Sequence, residues 1–323
     1  MLERHLFSRY SAAVVRVERG GRVAYERAAG ALRGDGGGAV FVDTRFDLAS
    51  ITKVFVSTVA LALVARGVLS LDAPLTGAVT LRMILAHTGG FRSGADYRTL
   101  FDEHVETYAV REPPVAAPGE RVVYSDLGFL ALGAMLARQT GIGLEPLVER
   151  ELRALGSEGV TYARHARGEA IPATERDEWR GLVQGRVHDE KAALAGGVAG
   201  HAGLFGDARN VARLGEWYLA PRYGRPSPLP PEIVAAAITE QAPDAILRRG
   251  LGWALKTSDE NSCGALMSRE TFGHTGFTGT CIWVDPVRDL NVVVLTNAVH
   301  YGRGDLREVR AAICDAAVEA FAA

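Results

Sequence analysis

Cysteine is scarce in this chain, and the three that occur, Cys263, Cys281 and Cys314, are odd in number and show no CxxC spacing. That argues against a disulfide framework and a structural zinc site, and leaves them as small core residues. Charge of one sign is missing too: 36 lysines and arginines stand against 38 aspartates and glutamates, so the net charge of -2 offers no footprint for a nucleic-acid backbone. The longest apolar run, Val54 to Val64, is interrupted by Ser57 and Thr58 and is too short to span a bilayer. Residues 1–12 scatter charges and hold no apolar segment of the kind a secretory leader needs. A cytoplasmic protein is therefore expected, or an extracytoplasmic one if a leader is missing. Beyond the short Gly34 to Gly38 stretch there is no low-complexity tract, repeat or heptad array, which removes solenoids and coiled coils.

The 323 residues, 48% of them hydrophobic, suffice for a sizeable core in one large domain or two moderate ones. Alternation of apolar and polar residues over Ala12 to Val17 and Arg22 to Arg27, around Gly20-Gly21, predicts a β-hairpin. Thr44 to Ala49 leads into a helical stretch that ends near Arg66-Gly67 and has Ser50 at its start. Helical patterns follow at Leu81 to Ala86, Leu127 to Gln139 and Val211 to Leu219, with Pro- and Gly-bearing loops between them. Strand signals return at Leu251 to Lys256, Thr280 to Val284 and Leu290 to Thr296, and Asp305 to Phe321 reads as a terminal amphipathic helix. The expected organisation is an α/β (α+β) protein. Residues 1–70 and 245–323 form a discontinuous sheet domain, 71–244 a mostly helical insertion, and the active site lies between them.

Ser50-Ile51-Thr52-Lys53 puts a hydroxyl and an amine on one face of a helix, close enough to exchange a proton. A serine hydroxyl is a poor nucleophile until a neighbour removes its proton, and the helix N-terminus adds N–H groups for an oxyanion. Taken alone, the tetrapeptide reads better as an N-cap serine with a solvated lysine. Tyr124-Ser125-Asp126 places a phenol in a loop before a helix, where it can act as general base and then acid; a buried tyrosine with a satisfied hydroxyl is the plainer alternative. His274-Thr275-Gly276 precedes a strand, with Gly273, Gly276 and Gly279 expected to let a substrate approach the backbone. The plainer alternative there is an edge strand with glycine bulges.

In this order and at this wide spacing, the three motifs resemble those of the penicillin-recognising serine enzymes: class C β-lactamases, serine DD-peptidases and related esterases. Supporting similarity runs through Leu85 to Gly90, Gly200 to Phe205 and Gly250 to Trp253. The resemblance implies a β-lactamase/transpeptidase-like fold, an antiparallel sheet flanked by helices with an inserted helical region. It further implies Ser50 as the acylated nucleophile, Lys53 and Tyr124 as its proton shuttle, and an oxyanion hole from the N–H groups of Ser50 and Phe277. Asp126, His274, Thr275 and Gly276 would contact a small-molecule or peptide acyl substrate, with no cofactor and no metal.

The sequence departs from the family pattern at two points. Position 126 is aspartate where the second motif usually ends in asparagine, and an ionised carboxylate only accepts hydrogen bonds. That favours an esterase or D-amino-acid peptidase over an efficient β-lactamase. It also predicts a charged Lys53, with Tyr124 as the principal base. His274 replaces a frequent lysine and is expected to help hold a carboxylate when protonated. His87, His188 and His201, with Asp189, invite a metal reading, but no pair has HExxH-like spacing, and a role in shaping the cleft is preferred. A catalytically silent binding or sensor domain on the same scaffold is the competing class.

Overall fold

The computed structural model describes residues 2–162, 170–242, 244, 246 and 248–322. Its centre is a seven-stranded antiparallel sheet. In spatial order the strands are Ala254–Leu255, Phe272–Thr275, Cys281–Asp285, Leu290–Thr296, Ala12–Arg19, Arg22–Arg33 and Gly36–Ala39. The two ends of the chain meet in its middle, where Ala13 pairs with Thr296 and Arg19 with Leu290. The hairpin forms as the alternation predicts, because Gly20 and Gly21 both adopt positive φ, the conformation a two-residue turn matched to strand twist demands.

Strand Ala12–Arg19 is buried along almost its whole length, Arg16 included, although its alternation reads as half-exposed. Layers on both sides of the sheet explain this. Val14 joins the larger core with Val54, Phe55, Val293 and Leu295, whereas Val15 and Val17 join a second core with Val309 and Ile313 of the terminal helix Arg307–Phe321. Arg16 is tolerated because Glu18 and Glu26 pair with it.

Helix Ile51–Ala65 is buried all round from Ile51 to Leu63, which accounts for the longest apolar run as a core helix. It stops where Gly67 turns to φ +72 and the N–H of Val68 returns to the carbonyl of Leu63. Among the described residues no single helix is long and apolar enough to cross a membrane; one bent pair, Asp126–Thr140 and Leu144–Ala154, passes by length and composition only. Within the 71–244 stretch, helix Ala208–Leu219 packs directly on strands Ala12–Arg19, Cys281–Asp285 and Leu290–Thr296. That stretch therefore contributes to the sheet's own covering layer.

Four strands escape the sequence patterns that are legible elsewhere. Phe272–Thr275 carries His274 and Thr275 inside the sheet, where its Gly273 obscures the strand signal. The short strands Phe46–Asp47, Leu204–Gly206 and Thr161–Tyr162 form a separate three-stranded sheet, which anchors the chain just before Ser50.

Candidate active site

Ser50 precedes helix Ile51–Ala65 but does not cap it: its side chain makes no capping hydrogen bond. The hydroxyl oxygen instead accepts from Lys53 Nζ at 3.0 Å, which overturns the reading of Ser50 as a plain N-cap beside a solvated lysine. Ala49 before it sits at φ +47, a left-handed conformation uncommon for a residue with a side chain. Three hydrogen bonds hold that turn. The Ala49 N–H donates to Asp47 Oδ1 at 2.9 Å, and the Thr278 and Thr280 hydroxyls donate to the carbonyls of Asp47 and Leu48. Asp47 is fully buried and also accepts the His188 N–H at 2.7 Å; burial outweighs those bonds and raises its pKa.

Lys53 is 0% exposed, and its ammonium reaches three acceptors: Ser50 Oγ, Asp126 Oδ1 at 2.8 Å and the His201 carbonyl at 3.4 Å. Burial works against its charge, but Asp126 and Tyr124 outweigh burial, so the Lys53 pKa is raised. The Asp126 carboxyl shows the converse. Burial pushes it up, Lys53 and His201 pull it further down, and the net shift is downward.

Tyr124 is brought to this pair by a segment remote in sequence, and His87 fixes it there. The His87 carbonyl accepts the Val123 N–H at 2.8 Å and its Nδ1 accepts the Ser125 N–H at 3.1 Å, while the ring lies 4.6 Å from the Tyr124 ring. Accepting through Nδ1 requires a neutral ring with the proton on Nε2, in line with a pKa lowered by burial and by nearby cations. Lys53 Nζ and Arg249 Cζ stand 4.8 and 5.1 Å from the Tyr124 ring centre, so two cations flank one phenol. Next in the chain, Ser125 caps helix Asp126–Thr140 by accepting the Gly128 N–H, which puts Asp126 in the first turn, where the helix dipole favours a carboxylate.

The third motif corrects one expectation, that of a charged His274, and shows a packing role for its glycines. Gly276 serves packing: a Cβ there would stand 2.1 Å from Thr280 Oγ1 and 2.6 Å from the Leu48 carbonyl oxygen, so only glycine lets this strand end lie against the turn that carries Ser50. Gly273 and Gly279 are equally crowded by Ile282 and Thr296. His274 is buried, its pKa is pushed down to about 3 by burial and by Arg249, and Nδ1 donates to the Thr275 carbonyl at 2.8 Å. It is neutral at ordinary pH and supplies no charge for a carboxylate. Positive charge on that side comes from Arg249 and Arg310, both buried, which line a cavity of about 620 Å³ with Ser50, Tyr124, Thr275 and Phe277, and from Arg303, which is paired with Glu175 and Glu190. Arg310 Nη2 donates to the Gly276 carbonyl at 2.7 Å. Among the described residues neither arginine forms an ion pair, and no protein acceptor takes the backbone N–H of Ser50 or Phe277.

A second cavity of about 250 Å³ shares Ser50, Tyr124, Phe277 and Arg303 with the first and is bounded by Asp126, Asp189 and Lys191. Ligand atoms of Asp126, Asp189 and His201 lie within 4.8 Å of one another, yet Lys53 and Lys191 already neutralise the two carboxylates. His188 pairs with Glu175 at 2.8 Å and His87 holds Tyr124, so the four metal-reading residues do not converge. Arg249, Arg310, Lys191 and the positioning role of His87 are not legible in sequence spacing. The only signals are the motif-like surroundings His87-Thr88-Gly89-Gly90 and Gly250-Leu251-Gly252-Trp253.

With this geometry, comparison with known proteins is decisive. A sequence profile of the Beta-lactamase family matches residues 3–315. A protein of Escherichia coli strain K12, provisionally named D-alanyl-D-alanine carboxypeptidase, is 32% identical over 307 aligned positions, covering 80% of this chain and 70% of its own. A β-lactamase structure from Mycobacterium bovis superposes with a TM-score of 0.69 at 25% identity, over 97% of this chain and 96% of that one. A class C β-lactamase from Rhodobacter sphaeroides shares the fold at a TM-score of 0.74 and 21% identity, over 97% and 95% of the two chains. The protein has the β-lactamase/transpeptidase-like fold, and it belongs to the Beta-lactamase family of serine hydrolases.

Proposed function

We propose that the enzyme works through an acyl-Ser50 intermediate on an ester or on the amide of a D-amino-acid peptide, in preference to efficient β-lactam hydrolysis. The observation that carries the proposal is the 3.0 Å contact of Lys53 Nζ with a Ser50 hydroxyl not used for capping. Lys53, held as an ammonium by Asp126, cannot take the serine proton, so that role falls to Tyr124, whose ring is flanked by Lys53 and Arg249. Ser50 Oγ then bonds the substrate carbonyl carbon, and the N–H groups of Ser50 and Phe277 receive the oxyanion. Collapse breaks the bond to the leaving group, which takes its proton from Tyr124. Water attacks the acyl-enzyme by the same route.

Asp126 accepts but does not donate, so it cannot itself make the acyl-amide contact of a β-lactam, and Arg249 and Arg310 suit a leaving group that bears a free carboxylate. Burst kinetics with an activated ester tests the reading: Ser50→Ala gives no burst, and Tyr124→Phe slows acylation by about a hundredfold or more. Full acylation by Tyr124→Phe would refute its role as base. If a fluorophosphonate labels Ser50 but no ester turns over, the chain is a ligand sensor instead.

A further inference from the structure

Asp126 leaves a gap in substrate recognition, because a carboxylate cannot donate to the carbonyl of an acylamino substrate. The structure fills that gap from another segment. Lys191 Nζ lies 3.4 Å from Asp126 Oδ2 and 3.2 Å from Asp189 Oδ2, and the residue lines the smaller cavity together with Ser50, Tyr124 and Phe277. Asp189 is itself fixed: Oδ1 accepts the Ala192 N–H at 2.8 Å and pairs with His201 Nε2 at 2.7 Å. An ammonium has three N–H groups; one donates to Asp189, and even with another directed at Asp126 one is left for a ligand. Lys191 is 9% exposed, so its position is set by packing as well as by charge.

We propose that Lys191 donates a hydrogen bond to an amide carbonyl on the acyl side of the substrate, making the enzyme selective for N-acylamino substrates over plain aliphatic acyl groups. The proposal rests on the acyl-Ser50 reading above. The chemical class follows from charge: two carboxylates already balance the ammonium, so a neutral carbonyl suits this cavity better than a third carboxylate.

The test compares three nitrophenyl esters, of N-acetyl-D-alanine, acetate and succinate, in wild type, Lys191→Met and Lys191→Gln. The selectivity in kcat/KM for N-acetyl-D-alanyl over acetyl is expected to fall about tenfold or more in Lys191→Met. Part of it returns in Lys191→Gln, whose amide still donates. Because Lys191→Met leaves two carboxylates facing each other, Lys191→Met/Asp189→Asn is measured beside it and is expected to lose the same selectivity. An unchanged ratio in these variants overturns the proposal, as does a larger loss for the succinyl ester than for the N-acetyl-D-alanyl ester. Failure of the acyl-Ser50 reading has a separate signature, since wild type would then show no fluorophosphonate labelling of Ser50 and no burst with any ester.

Discussion

The two cavities that meet at Ser50 are built on opposite electrostatic plans. On the Asp126 side every charge has a partner, Lys53 with Asp126 and Lys191 with Asp126 and Asp189, and His201 hydrogen-bonds to Asp189. On the His274 side Arg249 and Arg310 are buried with no ion pair among the described residues, and the histidines beside them are neutral. A balanced wall can fix a lysine and recognise neutral groups without drawing in ions. An unbalanced wall carries a desolvation cost that only an incoming anion offsets, so it is the wall suited to a charged part of the substrate.

The comparison breaks most visibly if one member of the balanced wall is removed. Lys53→Ala leaves Asp126 half-neutralised in a buried site, so turnover should drop by about a thousandfold or more, and chemical denaturation should show a loss of about 3 kcal/mol. A variant that keeps wild-type stability would mean that the pair is not a structural unit. Next in size, Arg310→Met should raise KM at least about tenfold for a peptide with a free carboxylate and lower its selectivity over the same peptide amidated. Equal effects on both substrates would remove the assignment of the unbalanced wall to an anion.

Asp126→Asn sharpens the contrast in the other direction. Lys53 then loses the carboxylate that is the main counterweight to its burial, so its pKa should fall and the alkaline limb of turnover, where the ammonium gives up its proton, should move to lower pH. A pH profile that does not change would show that Tyr124 alone governs the proton.

The smallest expected effect concerns stability in acid. His87 and His274 have folded pKa values below their ordinary 6.5, so the unfolded chain binds more protons, and stability present above pH 6.5 is lost as pH falls toward the folded values. Urea melts between pH 7 and pH 5 should show stability falling with pH, and His274→Asn should remove part of that slope.

The hairpin, strand Leu290–Thr296 and the terminal helix were legible because their periodicity is local and strong. Strand Phe272–Thr275 was not, since its glycine is dictated by Ile282 and Trp283 on a neighbouring strand rather than by anything adjacent in sequence. The site divides in the same way. Ser50 and Lys53 are neighbours on one helical turn, and Tyr124 and His274 stand inside recognisable motifs. Lys191, Arg249 and Arg310 carry no local signature.

By itself, the sequence determined the order of the elements, the three motifs and their spacing, and a carboxylate at position 126, because each depends on residues close together in the chain. Tertiary structure alone decided that Ser50 does not cap its helix, that His274 is neutral and that, among the described residues, Arg249 and Arg310 line the cavity without an ion pair. The physical reason is burial: desolvation and the partners met across the fold set protonation and pairing, and neither is encoded in local spacing.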